Sequence, residues 1–399
     1  MATERETERE TETEMAMERE TEKIDTSVES PSQQEPREAL RQEEKSLERK
    51  TRGKAIVLFS GGLDSMLVAA ILRRQGIELE AFCVLTPYHD NQRPAQLAAA
   101  QLNIPFYARW VRQDYFEMLR DPRHGRGSAA NPCTDCHAYM ASMARDRMIE
   151  TRADFVASGE VLGQRPCSQK RLHLDIVMKR SNLGDRLLRP LSAKLLPETL
   201  PERLGLVDRT QLYEFSGRRR DQLLKLAESY GILEPQEGDH DHPDAMRRRL
   251  TPSSGCKLTI KTFAPRFFDL FEHLPAKEMD GWTCGPLGFG RHFRLTPGAK
   301  AVVARNEREG DQLERYFHHP SRRRAAMFIP LDTGFTGPTI LITGAITEEA
   351  LRLAGGLLLH YAKETQPQTV RYYTDRPGVV NPTLRRIEPV QGIEKLAML

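Results

Sequence analysis

Three cysteines of this chain have neighbours and spacing that suit sulfur chemistry. Cys133 and Cys136 lie three residues apart in the segment NPCTDCH, and this spacing places both sulfurs on one face of a helix. A helix N-terminus lowers the pKa of a thiol, and the thiolate is the form that attacks electrophiles and binds metals. Cys256 lies far downstream, beside the positive charge of Lys257.

These thiols have reactive and inert interpretations. In the reactive ones, a thiolate carries a persulfide, or Cys133, Cys136 and Cys256 together hold an iron–sulfur cluster. A structural zinc site would need a second CxxC pair at comparable spacing, which the sequence lacks. Free cysteines are also often simply buried, as we expect for Cys83 in its apolar run. The pattern favours reactive sulfur chemistry.

The segment SGGLDS has the composition of an anion-binding loop. Its glycines let the backbone approach an anion without a Cβ in the way, and a helix beginning at Leu63 directs N–H groups at that anion. No lysine follows the glycines as in a Walker A loop, so the segment suits holding a departing pyrophosphate. Asp64 is a candidate ligand of Mg²⁺. The predicted nucleotide-binding residues here are Ser60, Gly61, Gly62, Leu63, Asp64 and Ser65.

Alternating strands and helices surround both motifs. The apolar run 55–59 predicts a buried strand, and further strands are predicted over 79–85, 104–111 and 154–158. Helices are predicted over 63–74, 95–102, from 115, and from Asn131 as N-cap to about 151. This order predicts an α/β fold with an open, mostly parallel sheet. Residues 163–201 read as a basic loop region, 217–230 as a helix and 234–254 as irregular.

The rest of the chain differs in character. Residues 285–399 alternate short strands (301–305, 326–330, 339–343) with a helix over 348–365, which predicts a smaller α+β domain. Residues 1–52 are rich in Glu, Thr and Arg, poor in large apolar side chains, and predicted to be a disordered tail. We therefore expect three parts: 1–52, a nucleotide-binding domain over 53–275 and a small domain over 285–399.

Charge and hydropathy restrict the class of protein. Residues 1–52 carry 16 acidic and 10 basic side chains, which leaves 40 acidic and 49 basic in the remainder. Any one of the arginine runs at 218–220, 247–249, 322–324 and 385–386 suits a solvated surface better, but the four together on this basic remainder make a nucleic-acid partner plausible. The sequence has no secretory signal and no apolar run long enough to cross a bilayer. We expect a cytoplasmic protein.

The strand–SGGLDS–helix unit resembles the pyrophosphate loop of the N-type ATP pyrophosphatases, which include tRNA thiolases, GMP synthetase, NAD synthetase and asparagine synthetase. The resemblance implies a Rossmann-like fold of the adenine nucleotide alpha hydrolase type, with ATP and Mg²⁺ bound at Ser60–Ser65. Asp64 would then act in catalysis.

Residues 53–270 resemble the tRNA thiouridine synthetases more closely. NPCTDCH is similar to their active-site segment, with His137 where many relatives have Asn, and this implies catalytic roles for Cys136 and Cys256. A CxxC with one distant cysteine also resembles thiolases that hold a [4Fe–4S] cluster. The segments DFVASGEVLGQRPCSQ and LRPLSAK resemble the family's nucleotide-contacting segments, which implies nucleotide contacts for Gly159 and Lys194.

Residues 285–375 resemble the RNA-binding NFACT-R-type domain, and an oligomerisation or packing domain is the alternative. Together the resemblances imply a tRNA sulfurtransferase that adenylates a uridine carbonyl and transfers sulfur. A protein donor, such as a cysteine desulfurase or a persulfide carrier, would supply the sulfur. Two other functions compete: an adenylating amide ligase of the same superfamily, and a catalytically silent nucleotide- and RNA-binding protein.

Overall fold

The computed structural model describes residues 53–89, 91–232, 255–331, 335–374 and 382–399. The chain divides into the units Met1–Thr51 and Arg52–Leu399, and every described residue lies in the second. The proposed tail, the irregular stretch 234–254 and the arginine run 247–249 lie outside the described residues.

The strands and helices follow in chain order. They are β1 (Lys54–Leu58), α1 (Leu63–Arg74), β2 (Glu78–Leu85), α2 (Gln92–Gln101), β3 (Phe106–Trp110), α3 (Gln113–Arg120), α4 (Cys133–Thr151), β4 (Phe155–Ser158), α5 (Arg171–Arg180), β5 (Leu187–Leu188), α6 (Leu200–Arg203), α7 (Asp221–Ser229), α8 (Ala264–His273), α9 (Gly281–Cys284), β6 (Arg291–Thr296), β7 (Ala299–Val303), α10 (Glu307–Phe317), β8 (Ala325–Pro330), β9 (Ile340–Gly344), α11 (Glu348–Ala362), β10 (Gln368–Tyr373) and β11 (Thr383–Ile387).

The first sheet is parallel and has the strand order β3-β2-β1-β4-β5. The chain leaves β1 toward β2 on one side, and β4 pairs with β1 on the other side. The carboxyl ends of β1 and β4 therefore flank the position where the strand order reverses. In open α/β sheets this crevice is where ligands bind. The predicted Rossmann-like, pyrophosphatase-type fold is confirmed.

The second sheet is antiparallel, in the order β11-β10-β8-β9-β7-β6. Helix α11 covers one face through Leu351 and Leu358, and α10 packs on the other through Leu313 and Phe317. Gly355 lies so close to Ile387 that a Cβ would come within 2.8 Å of that side chain. The predicted small α+β domain is confirmed as a separate sheet with helices.

Helix α8 joins the two sheets. On one side Phe267 and Phe271 share an apolar cluster with Tyr88 and Tyr115 of the parallel-sheet domain. On the other side the buried carboxylate of Asp269 accepts hydrogen bonds from Arg294 Nη2 and Lys300 Nζ, both at 2.7 Å. The segment that contains Cys256 leads directly into this helix.

Several local predictions were wrong. Asn131 is not the N-cap of α4, since Pro132 takes that position and the Asn131 amide donates to Cys133 Sγ at 3.1 Å. The basic loop region contains helix α5, because Leu174 and Val177 bury one face in a segment that is otherwise polar. Strands β6, β10 and β11 and helix α10 were not anticipated, because arginines and glutamates interrupt their apolar patterns.

Candidate active site

The segment Ser60–Ser65 forms a tight turn at the carboxyl end of β1. Gly61 has a φ of +74°, and a Cβ there would lie 2.7 Å from the Ala95 Cα, so only glycine fits. Ser65 Oγ donates to the Gly62 carbonyl at 2.9 Å and accepts from the Ser60 amide at 3.3 Å. These bonds hold the turn closed while the first amides of α1 point out of it, as an anion site requires.

Gly159 follows β4 and lies against the start of α1. A Cβ at this position would come within 2.8 Å of the Asp64 carbonyl carbon and 2.9 Å of the Ser65 amide nitrogen. The structure therefore places Gly159 against the predicted phosphate loop, and its nucleotide contact stays a prediction. The size of the residue at position 159 therefore limits how closely the end of β4 approaches the start of α1.

Asp64 points into a buried polar site beside the loop. Burial raises the pKa of its carboxyl group, while the charges of Arg220 and Arg165 and the amide of Gln164 oppose that shift. Arg220 Nη2 lies 3.6 Å from Asp64 Oδ2. Gln164 is close enough to lower the pKa of Asp64, but among the described residues neither Asp64 Oδ1 nor Gln164 Nε2 makes a hydrogen bond of ordinary geometry. A buried carboxylate oxygen without a partner beside a glycine-lined turn fits Mg²⁺ bound with a nucleotide's pyrophosphate.

The three predicted thiols come together at the same edge of the parallel sheet. Cys133 and Cys136 occupy the first turn of α4, and Tyr115 Oη lies 3.7 Å from Cys136 Sγ. Cys256 reaches them because the Lys257 amide donates to the Tyr88 carbonyl, just beyond β2, at 2.9 Å. Cys136 and Cys256 pack against the same apolar cluster, which includes Leu258 and Phe263.

The prediction of thiol pKa values lowered by the helix N-terminus was wrong. Burial raises the pKa of Cys136 far above its usual range and that of Cys256 to about 11, and it also raises the pKa of Cys133. Lys257 lowers the pKa of Cys256, but by less than burial raises it. The apolar side chains around these sulfurs therefore outweigh the helix dipole and the neighbouring lysine.

Arg165 links the two halves of the site. Burial raises the pKa of both Asp64 at the phosphate loop and Cys133 at the start of α4. The positive charge of Arg165 opposes both shifts. Cys167, to which the sequence gave no role, is also close, because its carbonyl accepts from Thr134 Oγ1 at 2.9 Å. The loop and the start of α4 are thus both near Arg165.

A buried ion network, which the sequence did not predict, lies next to the thiols. His137 Nδ1 is 2.9 Å from Glu160 Oε1, while Glu160 Oε2 accepts from Arg189 Nε at 2.8 Å and Ser158 Oγ at 3.0 Å. Burial alone would raise the pKa of Glu160, but the charge of Arg189 and the hydrogen bonds lower it to about 2. Glu160 is therefore a carboxylate at neutral pH.

Lys194 lies apart from these groups. Its Nζ donates to the Thr210 carbonyl at 3.0 Å, and it lines a cavity of about 520 Å³ with Tyr213 and Phe215. Within the described ranges, no hydrogen bond or ion pair joins Lys194 to Ser60–Ser65. Its nucleotide contact stays a prediction.

In the part of the chain that the structure describes, no three or more His, Cys, Asp or Glu side chains are grouped to hold a metal ion. Among the same residues, no helix is both long and apolar enough to cross a membrane.

Comparisons with known proteins agree with this architecture. Residues 41–157 match the family model described as asparagine synthase, and residues 290–391 match the one described as NFACT protein RNA binding domain. One segment of the chain is thus similar to a PP-loop domain and another to an NFACT-R-type domain. The first match includes the phosphate loop, α4 and its thiols; the second covers the antiparallel sheet.

The curated relatives are tRNA-modifying proteins. The chain is 34% identical over 113 residues to the tRNA-specific 2-thiouridylase MnmA of Desulfosudis oleivorans, covering 26% of this chain and 30% of that protein. It is 24% identical over 197 residues to the protein of the same name from Trichlorobacter lovleyi, covering 46% of this chain and 51% of that protein. It is 27% identical over 117 residues to a probable tRNA sulfurtransferase of Ureaplasma parvum, covering 28% of this chain and 30% of that protein. The chain thus spans about half of these relatives or less.

Proposed function

We propose that this chain is an ATP-dependent tRNA sulfurtransferase. Residues 53–275 would form its catalytic domain, and residues 285–399 would bind the RNA. The observation that carries the proposal is that the Ser60–Ser65 turn at the end of β1 and the first turn of α4, with Cys133 and Cys136, lie at the same edge of the parallel sheet. The names of the relatives and the RNA-binding family match support it.

The first step is adenylation. A uridine carbonyl oxygen attacks the α-phosphorus of ATP, the bond to the β-phosphate bridge breaks, and pyrophosphate leaves with the electron pair while the uridine N3 proton is lost. The amides at the start of α1 and the hydroxyl of Ser60 hold the departing pyrophosphate, while Ser65 keeps the loop closed through its bond to the Gly62 carbonyl. Asp64 would hold Mg²⁺, which neutralises phosphate charge when bound.

The second step is sulfur transfer. One of Cys136 and Cys256 carries a persulfide, delivered by a protein donor, whose outer sulfur attacks the activated carbon and displaces AMP. The other thiol, after losing its proton, attacks the inner sulfur. This leaves the reduced sulfur on the base and a Cys136–Cys256 disulfide, which an external dithiol must reduce.

The test separates the two steps. Cys136→Ala and Cys256→Ala should each abolish thiolated nucleosides, measured by mass spectrometry of tRNA, while pyrophosphate release on ATP and tRNA persists. Cys83→Ala, which removes a fully buried thiol of β2, is the matched control and should keep both activities. Full thiolation by both variants would refute the sulfur assignment.

Two further outcomes decide between the alternatives. Pyrophosphate exchange that requires a small carboxylate and not tRNA would replace the proposal with an amide ligase. Iron and a visible absorption band in protein purified without oxygen would replace the persulfide with a cluster-bound sulfide.

A further inference from the structure

His137 is held in one orientation beside the proposed reaction site. Its Nδ1 lies 2.9 Å from Glu160 Oε1, and 34% of its side chain is exposed, whereas only 9% of the Glu160 side chain is. One edge of the imidazole is thus fixed in the protein, and the ring is open enough to meet a ligand.

The partners of Glu160 decide which nitrogen of His137 carries hydrogen. The carboxylate is ionised and only accepts, and its second oxygen already accepts from Arg189 and Ser158. Nδ1 of His137 must therefore be the N–H donor. In a neutral imidazole the other nitrogen, Nε2, is then a hydrogen-bond acceptor.

The position of His137 matches that of the target base. It follows Cys136 directly on α4, and its partner Glu160 follows Gly159, which touches the backbone of Asp64 and Ser65. The reacting base must lie between the α-phosphate and the sulfur. The chain neighbours of His137 and Glu160, which are Cys136 and Gly159, belong to the two parts of the protein that would hold these groups.

We propose that His137 Nε2 accepts a hydrogen bond from N3–H of a uracil ring and so selects uridine over cytidine, with Glu160 as the positioning residue. Uracil carries a hydrogen on N3, whereas cytosine has a lone pair there, which would face the lone pair of Nε2. Both uracil oxygens that sulfur could replace adjoin N3. This inference rests on the proposed function and names the group that recognises its substrate.

The test compares three versions of one tRNA that differ only in the base at the modified position. Mass spectrometry of tRNA treated with the wild-type protein locates the thiolated nucleoside, and that tRNA is then prepared with uridine, cytidine or N3-methyluridine at the position. Affinity for these RNAs, measured without ATP, should favour uridine over each of the other two by about 100-fold or more, since a site built for one hydrogen bond rejects an unmatched partner strongly. Binding is the readout because cytidine lacks the O4 oxygen, and N3-methyluridine lacks the N3 proton, that the adenylation step uses.

His137→Gln is the deciding variant. A glutamine amide can turn either its oxygen or its NH₂ toward the base, so the preference for uridine over cytidine should fall below about 10-fold while the KM for ATP stays unchanged. An undiminished preference in this variant overturns the inference. If the wild-type protein neither releases pyrophosphate nor thiolates any tRNA, the proposed function has failed instead.

Glu160→Gln tests the positioning role. A glutamine NH₂ can donate to Nδ1, which moves the ring hydrogen to Nε2 and should shift the preference toward cytidine. Retained uridine preference in folded Glu160→Gln would exclude Glu160 as the residue that sets the tautomer. Circular dichroism monitors folding, and His137→Gln decides the main inference independently.

Discussion

Gly159→Ala perturbs the phosphate loop without touching any group that does chemistry. The added Cβ would lie 2.8 Å from the Asp64 carbonyl carbon, about 0.6 Å short of the 3.4 Å at which ordinary contact begins. The atom it meets is backbone and cannot rotate away. Position 159 has no left-handed φ, so steric overlap is the only strain that alanine introduces.

The size of the effect follows from this overlap. Overpacking of this kind costs about 1–3 kcal/mol of stability. If the start of α1 moves by about 0.6 Å to relieve it, amide donors at 2.9 Å from a phosphate oxygen leave the normal hydrogen-bond range. We expect ATP affinity to fall about tenfold to a hundredfold, since each tenfold is about 1.4 kcal/mol.

Calorimetry of MgATP binding and thermal unfolding measure the two effects. Gly281→Ala is the matched control, because a Cβ there meets nothing within 4 Å, and it should bind ATP normally. If Gly159→Ala binds ATP as tightly as the wild type, the contact between the β4 end and the loop does not shape the nucleotide site.

Three other predictions concern stability. The folded pKa of Glu160 is about 2, below its usual 4.5, so its stabilising effect is present above about pH 4.5 and is lost as the pH falls toward 2. The free energy of unfolding, measured in urea, should fall by about 3 kcal/mol over this pH range. The Glu160→Gln variant should not show this fall. Asp269→Asn leaves Lys300 buried without its anion. It should lower the free energy of unfolding by about 3–5 kcal/mol in the same assay. A decrease of less than about 1 kcal/mol would contradict a stabilising role of this ion pair. Asp280→Ala removes the side-chain cap of α9 and should cost about 1 kcal/mol, with tRNA thiolation unchanged.

The sequence predicted the parts of the site that local patterns determine. The bounds of α1 agree with the prediction over 63–74, because an apolar run, two glycines and a helical repeat follow one another without interruption. The parallel sheet could be inferred in the same way, since strands buried on both faces are continuously apolar. Gly159 was placed by resemblance, and its contact with Asp64 agrees with that placement.

Long-range packing determined what the sequence missed. The pairing of His137 with Glu160 joins residues on different elements, and no periodicity connects them. The raised thiol pKa values depend on apolar side chains brought in by the segment after Cys256. A helix N-terminus is visible in a sequence, whereas the burial that outweighs it is a property of the folded chain.

Cys256 connects the proposed sulfur site to the antiparallel-sheet domain. Its segment is fixed to the parallel-sheet domain through the Lys257–Tyr88 hydrogen bond and continues into α8, whose Asp269 is held by the second sheet. A shift of that sheet would therefore act on the Cys256 thiol through α8, while leaving the Ser60–Ser65 loop in place. If the second sheet binds the RNA, as we propose, docking of the substrate and placement of the second thiol are coupled through one helix, and adenylation can occur without sulfur transfer when that coupling is broken.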